Sequence, residues 1–547
     1  MSEWATPELS RYQSLMIAPS LDGQLGQDCG VRKLDAMLLE LDWSEWEAEY
    51  TRDGAGRPPI HPRLMAGCIL FGLIKGIRTT RGLEDATRMR LDFRWLLDGM
   101  GVDHTTISYF RKRFEGKIAR LFNQLNRQAA TMRKATLEEI IIDGTRIRAD
   151  SDRHGARTAG SLENRLTALE AEMGEALRNM DEECCKRLDS PEQLKKRLTG
   201  LKAEKQKIER ALDMARKRDE IKRRKDGKNA KPVRVPVTDP DANIMPNKEG
   251  GYAPNYTPVL AVDGSSGLIV GACVAEGNAE ASTVPELMDQ VSKVTSEKPH
   301  RVLFDSGFSS GDNLERLRKE GVEVYAPTGE AGKFNPALRS DPTLSVPAFA
   351  HSALPVRGGK LDRCAFVYDV ERDCYHCPMG REMPHVRTVQ RTTSDGPVSI
   401  SDYRCKDCEG CPLASVCIQG KAVARTICRD AYEPLREDLV VRMREQTAQR
   451  IYARRAPIGE GVFATIKSTL GIRRFSCRGR IKVGAELFWI CTAYNLMKLI
   501  RNTAKSGGTP LAALKAQGHA LLSLAENFLF ACKRHFAQQR IPLTQCA

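Results

Sequence analysis

Asp143 follows three isoleucines in LEEIIIDGTRIRAD, Asp305 follows Val302-Leu303-Phe304 in HRVLFDSGF, and Glu460 lies within YARRAPIGEGVFATIKSTLGIRRFSCRGR. A carboxylate beside such apolar runs is costly unless it is paired or binds a cation. If the two strands are neighbours in one sheet, their ends bring Asp143 and Asp305 together, and a divalent cation offsets the repulsion. A sparse set of hard oxygen donors suits Mg2+ or Mn2+ better than zinc. Taken singly, each Asp also fits a strand-end turn or cap, and Glu460 an exposed helix position.

Pro457 fits the first turn of a helix around Glu460. At about 100° per residue, Phe463, Ile466 and Leu470 form one apolar stripe, and Glu460 and Lys467 share a face bordering it. The acid would then point toward the sheet, with Lys467 placed for a phosphate oxygen. Asp143, Asp305 and Glu460 together could form a two-metal site that activates a water or a DNA hydroxyl and steadies the leaving oxygen at phosphorus. Arg473, Arg474 and Arg478 would hold the polyanion that supplies the phosphate.

Composition agrees with a polyanionic partner. The 547 residues carry 85 Lys and Arg against 70 Asp and Glu, a net charge of +15. That surplus favours nucleic acid over a membrane surface, although a merely basic soluble protein would show it too. The longest apolar run, Leu64 to Ile74, has 11 residues and falls short of the ~18 a membrane span needs. MSEWATPELSRYQ has no basic start or apolar centre, so no signal peptide is expected, and the chain is placed in a reducing cytoplasm.

The elements that must position these residues are interrupted. Residues 1–135 predict a helical, DNA-binding N-terminal domain, with a glycine turn before a basic helix that bears Arg111, Lys112 and Arg113, capped by Asp103 or Thr105. A solvated face on a structural domain is the alternative. Residues 136–158, 239–330 and 441–505 read as three parts of one α/β core with a mixed sheet, in the order β-β-β-α-β-α-β up to residue 330. Leucines spaced by three and four over 159–238 predict an inserted antiparallel helical hairpin that runs into a basic tract and linker. A cysteine-rich insertion occupies 331–440, and helices close the chain over 506–547.

Eight of the 17 cysteines lie between Cys364 and Cys428. Two C-x2-C pairs, Cys374 with Cys377 and Cys405 with Cys408, suit a tetrahedral zinc ribbon. Cys411 or Cys417 could replace one of the four; iron–sulfur ligation and a metal-free thiol cluster are the alternatives.

The spacing Y-x2-R-x4-E-x6-K over Tyr452, Arg455, Glu460 and Lys467 resembles DDE transposases of bacterial insertion sequences, in the branch marked by that Tyr-Arg-Glu-Lys signature. IDGTRI, FDSGFSSGDNL, LGIRRFSCRGRIKVGAE, TAYNLMKL and the N-terminal DHTTISYFRKRF are similar to the same family, so the resemblance covers most of residues 35–503. It departs at NYTPV, where relatives have GYNVQ, and at Gly461, where they have proline. The resemblance implies a ribonuclease-H-like core with insertions. It implies Mg2+-dependent cleavage at the ends of the mobile element, then strand transfer of the 3′-hydroxyl into double-stranded target DNA. Asp143, Asp305 and Glu460 match its catalytic triad; Tyr452, Arg455 and Lys467 match positions that handle DNA near the cut. A homodimer is expected, since two element ends must meet, with the helical hairpin as a candidate contact. The alternatives are a catalytically inactive or repurposed DNA-end-binding protein and a nuclease without strand transfer.

Overall fold

The computed structural model describes residues 20–50, 58–132, 135–183, 191–227, 230–246, 250–277, 279–295, 297–393, 396–418, 420 and 422–505. The chain divides into two compact units: one runs to Leu125 and resumes at Phe488, and the other is Asn126–Leu487. The helices expected over 506–547 lie outside the described residues.

The first unit is helical. Pro62 opens the helix Pro62–Ile74, in which every residue from Leu64 to Leu73 is buried, as an all-round apolar sequence requires. A short helix, Leu91–Leu96, and a turn precede the basic helix His104–Arg113. Asp103 caps it, accepting from the Thr105 and Thr106 backbone N–H groups at 2.9 and 3.0 Å. Trp46 stacks on Phe114 at 4.5 Å in the core of this unit.

In the second unit a five-stranded mixed sheet has the order Glu323–Tyr325, Arg301–Phe304, Glu139–Gly144, Pro258–Asp263, Ile269–Val274. The central strand runs parallel to Arg301–Phe304 and antiparallel to Pro258–Asp263. Ile140 to Ile142 and Val302 to Phe304 are fully buried, because helices such as Val284–Thr295 shield what would otherwise be an open apolar face. The extended segment LEEIIIDGTRIRAD is broken in two. It stops at Gly144, and Ile147–Arg148 joins a small second sheet with Tyr252–Tyr256 and Asn243–Pro246. NYTPVLAVDG divides at the same level, where Pro258 lacks an N–H to continue the ladder.

The hairpin is formed by helices Ala159–Glu183 and Pro191–Asp226. Leu162 and Leu169 pack on Ile208, Ala211, Leu212 and Ala215. Arg165–Glu204 and Lys205–Glu170 ion pairs flank that seam at 2.9 and 2.8 Å. Its second helix continues to Asp226, so much of the basic tract is helix rather than linker. The cysteine-rich segment holds an element the sequence pattern did not suggest: a five-stranded antiparallel sheet of Val367–Asp369, Cys374–His376, Glu382–Thr393, Gly396–Arg404 and Thr426–Asp430.

Candidate active site

Register brings the first two acids together. Ile142 pairs with Phe304 in the parallel ladder, so the next residue on each strand, Asp143 and Asp305, stand side by side at one end of the sheet. Asp143 ends the buried run and is half-buried itself, with its Oδ1 accepting from the Gly144 N–H at 2.9 Å. Asp305 is exposed and caps the short turn Ser306–Phe308, accepting from the Ser306 N–H at 2.6 Å.

Glu460 arrives on the helix Arg455–Ala464, which packs against the central strand. Arg454, at the N-cap, ion-pairs with buried Glu139 at 3.2 Å. Gly459 faces Asp143 so closely that a Cβ there would stand 3.0 Å from the Asp143 Oδ2. The absent side chain is what lets the helix lie against the acid and deliver Glu460 to it. Glu460 is near enough to Asp143 to bear on its ionisation. Phe463, Ile466 and Leu470 are buried, as their stripe required.

Arg455 bridges the two aspartates, with Nη2 at 3.7 Å from Asp143 Oδ1 and 3.5 Å from Asp305 Oδ2. Burial pushes the Asp143 carboxyl above its usual range; Arg455 and the Gly144 N–H oppose that, while Asp305 and Glu460 add to it. Tyr452 is half-buried beside Arg455 and both aspartates, and burial raises its phenol. Lys467 lies in a π-helical turn, Thr465–Thr469, a wider coil often found at functional positions. Its Nζ donates to the Thr145 hydroxyl at 2.7 Å, two residues beyond Asp143, so Glu460 and Lys467 do face the same strand end.

A fourth carboxylate escaped the sequence reading. Glu280 opens the turn Glu280–Thr283 after the third core strand and reaches the same sheet end, its Oε2 3.4 Å from where a Gly144 Cβ would be. Burial raises its carboxyl; Arg146 opposes that, and Asp143 and Asp305 add to it. Its position in a loop leaving the same end of the sheet was the available signal. Asp312, near Asp305 in sequence, accepts from the Tyr432 hydroxyl, and Ser310 caps the helix that carries it.

The remaining cations are dispersed. Arg474 and Arg478 both ion-pair with Asp150, and Arg473 is exposed. Arg148, Arg153 and Arg474 line a cleft of about 290 Å³. In the helical unit Lys112 and Arg113 are exposed, whereas Arg111 is half-buried. The four cysteines expected to share a zinc ion are not gathered as one set. Cys377, Cys405 and Cys408 line one cavity. Cys374 sits with His376 and Asp369 instead, its Sγ 3.8 Å from the His376 Nε2, which is 3.7 Å from the Asp369 Oδ2. Cys374 is on a strand, where a side chain three positions along points to the opposite face.

Residues 219–366 and 376–500 each match a family model described as a transposase DDE domain, and residues 19–113 match one described as a transposase domain. Asp305 and Glu460 fall inside the DDE matches, and Asp143 lies before them. No curated protein matches the sequence. A cryo-EM structure of piggyBac transposase in a synaptic complex with hairpin DNA is similar at 10% identity, over 88% of this chain and 74% of that one. Its TM-score is 0.30. The chain belongs to the DDE transposases. It is a transposase, an enzyme that cuts and joins DNA.

Proposed function

We propose that Asp143, Asp305 and Glu460 form the catalytic triad of an insertion-sequence transposase that works in the bacterial cytoplasm, on a ribonuclease-H-like core. The strand order, with an antiparallel meander on one side of the central strand and two parallel strands on the other, supports that core. The observation that carries the reading is the parallel register that sets Asp143 beside Asp305 while Gly459 admits the helix bearing Glu460.

The donor set fits Mg2+ or Mn2+: three carboxylates, with Glu280 as a fourth, converge where the Arg455 guanidinium ion-pairs with both aspartates. When bound, such ions polarise the scissile phosphate and lower the pKa of an attacking water or 3′-hydroxyl. The chain's own residues supply the rest. Arg455 holds Asp143 and Asp305 facing one another, and Tyr452 walls the same space. Lys467 is anchored on Thr145 beside the acids, a position from which it meets a phosphate flanking the cut. The reaction is cleavage that frees a 3′-hydroxyl at each element end, then joining of that hydroxyl to target DNA. Double-stranded DNA is the partner, and two copies of the chain bring two ends together.

A supercoiled plasmid carrying the element ends, incubated with Mg2+, tests this. Wild type should nick and join, while Asp305→Ala and Glu460→Gln should lose cleavage by more than about a hundredfold and keep end binding. If wild type binds ends and never cuts, the chain is an end-binding protein. If it cuts and no joined product forms, it is a nuclease.

A further inference from the structure

The cysteine-rich sheet closes over a cavity lined by Cys377, Cys405, Cys408, Cys411 and Cys417. Two loops carry these thiols. The first, Cys377 to Gly380, is a tight turn in which the Gly380 N–H donates to the Cys377 carbonyl at 2.9 Å. Gly380 has φ +70°, and a Cβ there would meet the Thr343 carbonyl at 2.2 Å, so the turn admits only glycine. The Cys377 N–H donates to the Arg381 carbonyl at 2.9 Å, closing the same turn. The second loop follows the strand Gly396–Arg404, and the Cys405 N–H donates to the Arg425 carbonyl at 3.1 Å. The Cys411 N–H donates to the Cys408 carbonyl at 3.3 Å, and the helical turn Ala414–Cys417 delivers the last thiol.

The shell around these sulfurs is cationic and incompletely paired. The Nε and Nη1 of Arg339, the Nη1 of Arg381 and the Nε of Arg425 are buried with no hydrogen-bond partner. Arg339 itself is 6% exposed and lies beside Cys377, and Arg381 and Arg425 line the cavity. Buried guanidinium nitrogens without partners are costly around neutral thiols. Around a metal held by four thiolates, which carries net negative charge, they are compensated. We propose that this cavity holds a soft metal centre ligated by thiolates drawn from Cys377, Cys405, Cys408, Cys411 and Cys417, with Cys374 excluded. Four sulfurs on one tetrahedral zinc stand about 3.8 Å apart, from a Zn–S length of about 2.3 Å. Among the described residues no three of these sulfurs lie within 4.8 Å of one another. A zinc ion therefore requires thiol rotation inward, whereas an iron–sulfur cluster spans a wider set. The centre does not depend on the triad reading.

Metal analysis of the full chain, purified anaerobically from zinc- and iron-supplemented cells, tests it. Wild type and Cys374→Ser should both retain metal, and Cys408→Ser and Cys417→Ser should lose at least about fivefold of it. Zinc without colour identifies a mononuclear site; iron with a visible absorption bleached by dithionite identifies a cluster. Added Co2+ gives a readout free of folding defects: metal-stripped wild type should show sulfur-to-cobalt charge-transfer bands. Metal-free wild type without those bands overturns the proposal, as does full retention in Cys408→Ser and Cys417→Ser.

Discussion

Asp143 and Glu280 share a physical condition that has a measurable sign. Both carboxyls are held above their usual range, chiefly by burial, and each is pushed further by the other acids of the site. Their folded values lie above the unfolded ones, so the folded chain holds these protons more tightly. The contribution to stability is present at low pH and is lost as pH rises from about 4 through the raised folded values. A cation that binds only the ionised folded site reverses this loss. Added Mg2+ is expected to raise the melting temperature more at about pH 8 than at about pH 5, as differential scanning fluorimetry would register, and Asp143→Asn should remove most of the difference. Equal stabilisation at both values would mean the carboxyls are not its ligands. Glu280→Gln keeps the shape and removes a charge. It should raise the Mg2+ concentration needed for half-maximal cleavage by several-fold and leave DNA binding intact. An unchanged Mg2+ titration would reduce Glu280 to a structural acid.

The helix Arg455–Ala464 decides whether the acids form a site, and Gly459 decides how near it comes. Gly459→Ala should stabilise the isolated helix by about 0.5–1 kcal/mol through propensity alone. The added methyl would meet the Asp143 carboxylate, and a displacement of a few tenths of an ångström in this proposed catalytic acid is expected to cost about tenfold or more in cleavage. Melting and plasmid cleavage measured on the same preparation separate the two effects, and an unchanged rate would show that the helix has slack. This element also marks how far the sequence could be read. Local pattern was enough for its register: Pro457 in the first turn, Phe463, Ile466 and Leu470 inward, Glu460 at the edge. The strands bearing Asp143 and Asp305 were legible as apolar runs, but their adjacency is a long-range pairing that no local period encodes. Glu280 stayed hidden for that reason. The cysteine-rich sheet stayed hidden because its strands Val367–Asp369 and Cys374–His376 are too short to show alternation. Cys374 stands apart from Cys377, with Asp369 and His376, because it lies on a strand rather than on the turn that carries Cys377.

For the molecule as a whole, the +15 charge favours a polyanion, yet it is distributed unevenly. Arg474 and Arg478 are already tied to Asp150, and in the hairpin Arg216 pairs with Glu163, Lys217 with Asp213 and Arg224 with Glu220. Arg473 is exposed on the same loop. Each phosphate contact releases counterions, so log K falls with log[salt] by close to one unit of slope per contact. Arg473→Ala is therefore expected to weaken binding of element-end DNA and lower that slope by about one. Arg474→Ala should change it less, because Asp150 already offsets part of the charge that Arg474 shares with Arg478. Fluorescence anisotropy across a salt series for wild type and both variants reads these slopes directly. If all three slopes coincide, the phosphates rest on other cations, and the exposed Lys112 and Arg113 of the helical unit become the next to be substituted.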